Sequence, residues 1–339
     1  MYSLLRPLLF RLDPETAHHI TLQLLRVAGG FPLSRWLLTQ LYQTPPKPVQ
    51  AFGLTFRNPL GLAAGYDKDA LAVHGLAALG FGHIEVGTVT LKPQPGNPKP
   101  RLFRLPEDEA VINRLGFPSR GAAFVAARLR RSNVKTLNNS NVVLGVNIGK
   151  NKDTPLEESA GDYVQLMRLF APLADYLTIN ISSPNTVGLR RLQGRELLEN
   201  LLHQINLERA GWSLKRPILV KISPDMSDDE LEDAAGVILE KGMDGIIATN
   251  TTLSREGVAS KFQRETGGLS GSPLRVRSEA VLKRVVGLVG GKIPIVSAGG
   301  IMSPEDAKRR LALGASLVQV YTGLVYRGPA LVREIVQAL

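Results

Sequence analysis

From Leu60 onward the chain alternates apolar, β-branched runs with helical segments, and it does so eight times. The runs fall at Leu60–Ala64, Ile84–Gly87, Val142–Ile148, Tyr176–Ile181, Ile218–Ile222, Gly245–Thr249, Ile293–Ala298 and Leu317–Tyr321. Runs that are mostly apolar, rather than apolar on alternate residues only, read as strands buried on both faces, as in a parallel sheet covered by helices. Eight such units are the count of a (β/α)8 TIM barrel. A doubly wound sheet is the alternative, but no G-x-G-x-x-G follows the first strand. Helix starts support the alternation: Ser227-Asp-Asp-Glu230 has the capping-box pattern, and Ser303-Pro304 sets an N-cap before a proline at N1.

The first 45 residues have a different pattern. Leu5, Leu8, Leu9 and Leu12 share a helical spacing, and Asp13-Pro14-Glu15 is a helix start. The next helix carries one stripe of Ala17, Ile20, Leu24 and Val27 and another of His18, Leu22 and Leu25, with Gly29-Gly30 read as its stop. A third carries Leu33, Trp36, Leu37 and Leu41. Two apolar stripes on one short helix need two apolar partners. Pro45-Pro46-Lys47-Pro48 reads as a stiff linker. The expected organisation is therefore a helical region over residues 1–45 and a barrel over 46–339.

Composition narrows the chemistry. Among 339 residues there is no cysteine, which removes disulfides, cysteine-held zinc, iron–sulfur clusters and any thiol nucleophile or acid. No metal site is expected. The formal net charge of +11 favours an anionic partner, a phosphate cofactor, a carboxylate substrate, an anionic membrane or nucleic acid, but no basic arm concentrates it. No run reaches the roughly 20 apolar residues of a spanning helix, and no cleavable leader is evident, so the cytoplasmic side is expected.

Barrel sites form where strands end. Here the ends read Ala64-Gly65-Tyr66-Asp67-Lys68, Thr88, Asn147-Ile-Gly-Lys-Asn151, Asn180 through Thr186, Lys221, Thr249-Asn250-Thr251, Gly299-Gly300 and Tyr321-Thr322-Gly323. Core packing has no use for such a row of amides, hydroxyls and ammonium groups, because buried polar groups cost free energy unless paired. They point to a polar ligand across the barrel mouth. Gly300, Gly271 and the Thr322-Gly323 turn are candidates for a phosphate cradle, since backbone N–H groups approach an anion closely where no Cβ intervenes. Lys221 ends a strand, and its ammonium needs an anion: a flavin ring made negative on reduction, or a structural carboxylate inside the barrel.

Four motifs in this order, Asn113-Arg-Leu-Gly-Phe117, Asn180-Ile-Ser-Ser-Pro-Asn185, Asn250-Thr-Thr252 and Tyr321-Thr322, resemble those of the class 2, quinone-dependent dihydroorotate dehydrogenases. Leu105-Pro-Glu-Asp-Glu109 and the proline-rich run Lys92–Arg104 do so as well, and the resemblance spans nearly the whole chain. It implies oxidation of (S)-dihydroorotate to orotate in pyrimidine biosynthesis, with FMN as cofactor and a membrane quinone as final acceptor. By resemblance, Ser183 is the catalytic base, with Thr186 and a water as the exit for its proton. Lys68, Asn113, Arg114, Leu115, Gly116, Phe117, Asn180, Asn185, Asn250 and Thr251 bind substrate. Ala64, Gly65, Tyr66, Asp67, Lys68, Thr88, Asn147, Asn180, Lys221, Thr249, Gly271, Gly300, Tyr321 and Thr322 hold FMN. His18, Arg104 and Tyr321 meet the quinone, although His18 serves equally well as a helix-packing histidine. The helical region would then lie on the membrane, placing the protein peripherally on the cytoplasmic face of the inner membrane. A tRNA dihydrouridine synthase would suit the basic charge but relies on a cysteine acid that is missing here, so no nucleic-acid partner is expected.

Overall fold

The structure, a computed structural model, describes residues 2–132 and 142–339. All eight expected runs form strands, and they close into one parallel barrel. In barrel order these are β3 (Leu60–Leu62), β4 (His83–Val89), β7 (Val143–Ile148), β8 (Tyr176–Asn180), β9 (Ile218–Ile222), β10 (Gly245–Ala248), β12 (Ile295–Ala298) and β13 (Leu317–Val320), with β13 pairing back onto β3. Observed ends lie within two residues of the expected ones. β3, β8, β10 and β13 stop early at their carboxyl ends, where the chain turns out of the ladder to present its polar groups. The helices pack outside the strands in one continuous apolar core.

Five further strands were not foreseen. β1 (Val49–Ala51) and β2 (Leu54–Phe56) form a hairpin across the lower end of the barrel, directly after the segment read as a linker. Its two-residue turn, Phe52-Gly53, has positive φ at both positions, the geometry that matches strand twist. Phe56 is fully buried among Tyr176, Leu219 and Ile247, so the hairpin seals the bottom. β5 (Leu102–Leu105), β6 (Ala110–Asn113) and β11 (Gly268–Gly271) form an antiparallel sheet beside the open rim. Gly271, the cradle candidate, ends a strand whose residues 268–271 are in register with Asn113–Ala110.

The N-terminal region is three helices, α1 (Tyr2–Arg11), α2 (Pro14–Gly30) and α3 (Pro32–Leu41). Asp13 caps α2, accepting from the Thr16 amide at 2.9 Å. α2 ends at Gly30, where the glycine pair was read as its stop, and Gly29 is its penultimate residue. Its bare Cα lets α2 cross the helix Val73–Ala77, since a Cβ there would lie 2.2 Å from Gly75 N. Only part of the apolar surface of these helices is used. Ala17 and Leu22 are buried, whereas Leu4, Leu8, Leu24, Val27, Leu33 and Trp36 are all more than half exposed. Arg101, paired with Glu15 at 2.7 Å, and Arg104, donating to Leu9 O at 2.9 Å, tie the helices to β5 and the loop before it.

Candidate active site

The upper strand ends and the β5–β6–β11 sheet enclose a cavity with an empty volume of about 1010 Å³, its open mouth included. That is the size of pocket that takes a cofactor-sized ligand. Ala64, Gly65, Lys68, Thr88, Asn113, Leu115, Gly116, Phe117, Asn180, Ser183, Asn185, Lys221, Thr249, Asn250, Thr251, Gly271, Gly300, Tyr321 and Thr322 line it, all from the sequence-derived set.

Four expected residues stand elsewhere. Asn147 lies one layer below, hydrogen-bonded to Thr88 and Glu85 rather than lining the space. Both Asp67 carboxylate oxygens accept from backbone amides, Leu71 N at 2.7 Å and Ala72 N at 2.8 Å, so the side chain organises its own loop. Burial pushes its pKa up to about 6. Tyr66 turns toward α2, its ring 4.9 Å from that of His18. Arg114 points outward, pairing with Glu265 at 2.6 Å and lying over the Phe103 ring. These four follow strand ends or share a motif with lining residues, and sequence position alone does not report which way a side chain turns.

Lys221 is 5% exposed and faces the cavity. Among the described residues no carboxylate lies within ion-pair distance of it. Burial lowers its pKa, and the charge of Glu85 works against that. A buried ammonium without an ion-pair partner is a site waiting for an anion. Gly300 provides the second feature. It has φ +72°, and a Cβ there would lie 2.4 Å from Arg275 Cα. The turn can therefore carry only glycine, leaving its backbone N–H groups free of side-chain cover. Lysine for a ring that gains charge and a bare turn for a phosphate suit a flavin mononucleotide.

Above these groups stand the amides. Asn185 donates to Asn113 Oδ1 at 3.0 Å, and Asn250 donates to Ser182 Oγ at 2.9 Å. Ser183 is 5% exposed, and its Oγ accepts from the Asn185 backbone amide at 3.3 Å. Pro184 holds this turn extended, aiming the hydroxyl into the cavity. Thr186 Oγ1 is buried and has no hydrogen-bond partner among the described residues. Lys68 Nζ donates to Gly65 O at 2.6 Å, and burial drops its pKa to about 8.

Sequence reasoning missed the groups that hold this arrangement. Arg190 donates to Ser182 O at 3.1 Å and to Thr251 O at 2.9 Å, and pairs with Asp225 at 2.8 Å. It ties the Ser183 turn to the Asn250–Thr251 loop. Ser270 and Met302 also line the cavity, and Ser270 Oγ accepts from Thr322 Oγ1 at 2.8 Å. Their only sequence signal was their neighbours.

A second cavity lies between the barrel and helices α1 and α2. Its empty volume is about 1470 Å³, and its walls are mostly apolar, among them Leu5, Leu8, Leu9, Phe10, Ala17 and Leu24. His18, Arg104 and Tyr321, the three residues expected to meet a quinone, all line it. Burial drops the His18 pKa to about 3, so its imidazole is neutral. The Arg104 guanidinium caps α1, donating to Leu9 O, Phe10 O and Leu12 O. Tyr321 faces both cavities, and the rings of His18, Tyr66 and Tyr321 follow one another at 4.9 and 5.9 Å between centroids.

Comparison with known proteins adds three findings. Residues 48–339 match the family model described as dihydroorotate dehydrogenase. Over its full length the chain is 51% identical to "Dihydroorotate dehydrogenase (quinone)" of Roseiflexus sp. (strain RS-1), covering 93% of that protein, and 49% identical to the Pseudomonas putida protein of the same name, covering 98% of it. Among solved structures, DHODH from Eimeria tenella in complex with ferulenol is 39% identical with a TM-score of 0.90, over 98% of this chain and 93% of that one.

Proposed function

The chain belongs to the dihydroorotate dehydrogenase family, and we propose that it oxidises (S)-dihydroorotate to orotate in pyrimidine biosynthesis, with FMN in the central cavity and a membrane quinone as final acceptor. The observation that carries the reading is the pairing, in one cavity, of an ammonium with no ion-pair partner among the described residues, Lys221, with a buried hydroxyl, Ser183, under a rim of asparagines.

The substrate is a flat ring of carbonyls and N–H groups with a carboxylate. Asparagine both donates and accepts, so Asn113, Asn185 and Asn250 can match such an edge without adding charge. Lys68 supplies the positive charge for the carboxylate. Oxidation removes a proton from C5 and a hydride from C6, leaving a C=C bond. Ser183 is the group that takes the proton. A serine hydroxyl is a weak base unless its own proton has somewhere to go. Thr186 Oγ1, buried three residues further on and without a hydrogen-bond partner among the described residues, supports a proton exit on that side. Phe117 covers the cavity near Thr88 and Gly149 and keeps bulk water out. FMN, when bound, supplies the hydride acceptor; Lys221, the Gly300 turn and Thr322 would hold it.

The second cavity is the proposed quinone site. Apolar walls, a neutral His18 and Tyr321 shared with the central cavity support it. The exposed apolar residues of α1–α3 would lie on the bilayer on its cytoplasmic face, since they are a surface that water does not favour. No helix among the described residues is long and apolar enough to cross a membrane.

Replacing Ser183 tests the chemistry. Ser183→Ala should keep FMN bound and slow flavin bleaching by dihydroorotate by about 10²- to 10⁴-fold, as for loss of a general base. Unchanged bleaching kinetics would remove Ser183 from the mechanism. Deleting residues 1–45 should spare bleaching and impair re-oxidation by quinone; unchanged quinone turnover would leave the helices a purely structural part.

A further inference from the structure

Beneath the cavity floor the barrel interior holds a buried glutamate. Glu85 is 0% exposed, and its carboxylate accepts from four donors. Asn147 Nδ2 reaches one oxygen at 2.8 Å. Tyr176 OH, Thr178 Oγ1 and Gln319 Nε2 reach the other, each at 3.1 Å. Among the described residues no Arg or Lys pairs with it, so it is not an ordinary structural ion pair. Four donors around one acid in an apolar barrel are an unusual concentration of polar side chains, and they need a reason.

The reason lies in what the acid does to the amides above it. A carboxylate only accepts. Asn147 must therefore turn its NH2 downward, because the flipped amide would set oxygen against oxygen at 2.8 Å. Its Oδ1 then points up, where it accepts from Thr88 Oγ1 at 2.6 Å and from Asn180 Nδ2 at 3.1 Å. With the Thr88 proton committed to Asn147, Thr88 Oγ1 accepts from Asn180 Nδ2 at 2.9 Å. Both oxygens below Asn180 are now acceptors, so its NH2 faces down and its Oδ1 faces up. There Oδ1 meets Ser182 N at 3.3 Å and Asn250 Nδ2 at 3.4 Å. Asn250 is fixed from the far side by Thr251 N–H, which donates to its Oδ1 at 2.8 Å. The two ends agree on one polarity.

We propose that Glu85 is a positioning residue, whose acceptor-only carboxylate sets the orientation of Asn147, Thr88 and Asn180 and so fixes which hydrogen-bonding atoms the cavity floor offers to its ligand. Thr88 and Asn180 line the cavity; Asn147 and Glu85 do not touch it. Glu85 also supports the charge on Lys221 through the barrel, opposing the effect of burial on that ammonium. The inference rests on the flavin reading of the cavity.

The test is a charge-relocation cycle read on FMN binding and on the flavin absorption spectrum. Glu85→Gln keeps the shape but offers an NH2 where only acceptors stood, so one arrangement becomes several. The apoprotein should bind FMN about 10- to 100-fold more weakly, the size expected when one buried hydrogen bond is left unmade, and the visible flavin band should shift. Asn147→Asp should do the same by setting two carboxylates face to face. The double variant E85Q/N147D moves the acid up one position: the new amide at position 85 donates to the new carboxylate at position 147, whose other oxygen still accepts from Thr88 and Asn180. It should recover FMN affinity and the wild-type spectrum, together with the dihydroorotate KM. A Glu85→Gln protein with wild-type affinity and spectrum would overturn the proposal. So would a double variant that folds without recovery, and, should Glu85→Gln not fold, a double variant that does not fold either. A wild-type protein that takes up no FMN would instead defeat the reading of the cavity itself.

Discussion

Arg310 sits on the helix Pro304–Ala312 with its side chain fully buried, directly behind the Gly299-Gly300 turn. Its guanidinium donates to Ser278 Oγ at 2.8 Å, Gly299 O at 2.9 Å and Arg275 O at 3.0 Å, and lies 3.4 Å from Glu279. Burial lowers its pKa to about 10, which leaves it charged at neutral pH. Arg310→Met keeps the length and removes the donors. Three hydrogen bonds from a charged group contribute roughly 1.5–3 kcal/mol each, a gross loss of about 4.5–9 kcal/mol. Two effects reduce it. Ser278 Oγ also reaches the carbonyls of Arg275 and Gly299, at 3.0 and 2.9 Å, so its one hydroxyl proton can satisfy one of them. Removing the buried cation also returns its desolvation cost, several kcal/mol. The net should be about 2–4 kcal/mol. Unfolding entropy near 2.1 cal/mol/K per residue over 339 residues gives about 0.7 kcal/mol/K, so Tm should fall by about 3–6 °C. Calorimetry at several scan rates measures it and exposes any kinetic distortion. A variant as stable as the wild type would show that desolvation cancels these bonds and that the glycine turn stands without them.

Gly300→Ala should lose FMN: the added Cβ meets Arg275 backbone at 2.4 Å in a left-handed conformation, a strain of about 1–3 kcal/mol placed on the proposed phosphate turn, and flavin content after purification reads it. Lys68 gives a pH signature with two signs. Because its folded pKa is about 8 against 10.5 ordinarily, substrate KM should rise about tenfold per unit above pH 8 as the ammonium is lost. The unfolded chain still holds that proton up to 10.5, so the same group makes stability rise with pH between 8 and 10.5; a KM flat across this window would take Lys68 off the carboxylate. On the outer helices, Leu24→Glu with Trp36→Glu should abolish co-sedimentation with lipid vesicles while changing stability by less than about 0.5 kcal/mol each; undiminished co-sedimentation would put the membrane contact elsewhere.

The barrel was legible because buried parallel strands leave a mostly apolar, β-branched signature, and all eight runs were found on that basis. The five short strands were not. Val49–Ala51 and Leu54–Phe56 are three residues each and sit against prolines, and Gly268–Gly271 is half glycine, so neither length nor β-propensity marked them. The strand-end residues were legible as a class, since a polar residue after an apolar run has one common explanation in a barrel. Which of them face inward was not: Tyr66 and Asp67 directly precede Lys68, yet only Lys68 reaches the cavity. Glu85 and Arg190 escaped notice for the opposite reason. One stands inside a strand and the other in the short 3-10 helix Leu189–Gln193 beyond the motif, and only the fold brings them to the site.

The most direct test is anaerobic mixing of FMN-loaded protein with dihydroorotate while the visible flavin band is followed. The account predicts rapid bleaching, with orotate formed one for one with reduced flavin, and recovery of colour when a quinone is added. A flavin that binds and stays oxidised in the presence of saturating dihydroorotate would contradict it.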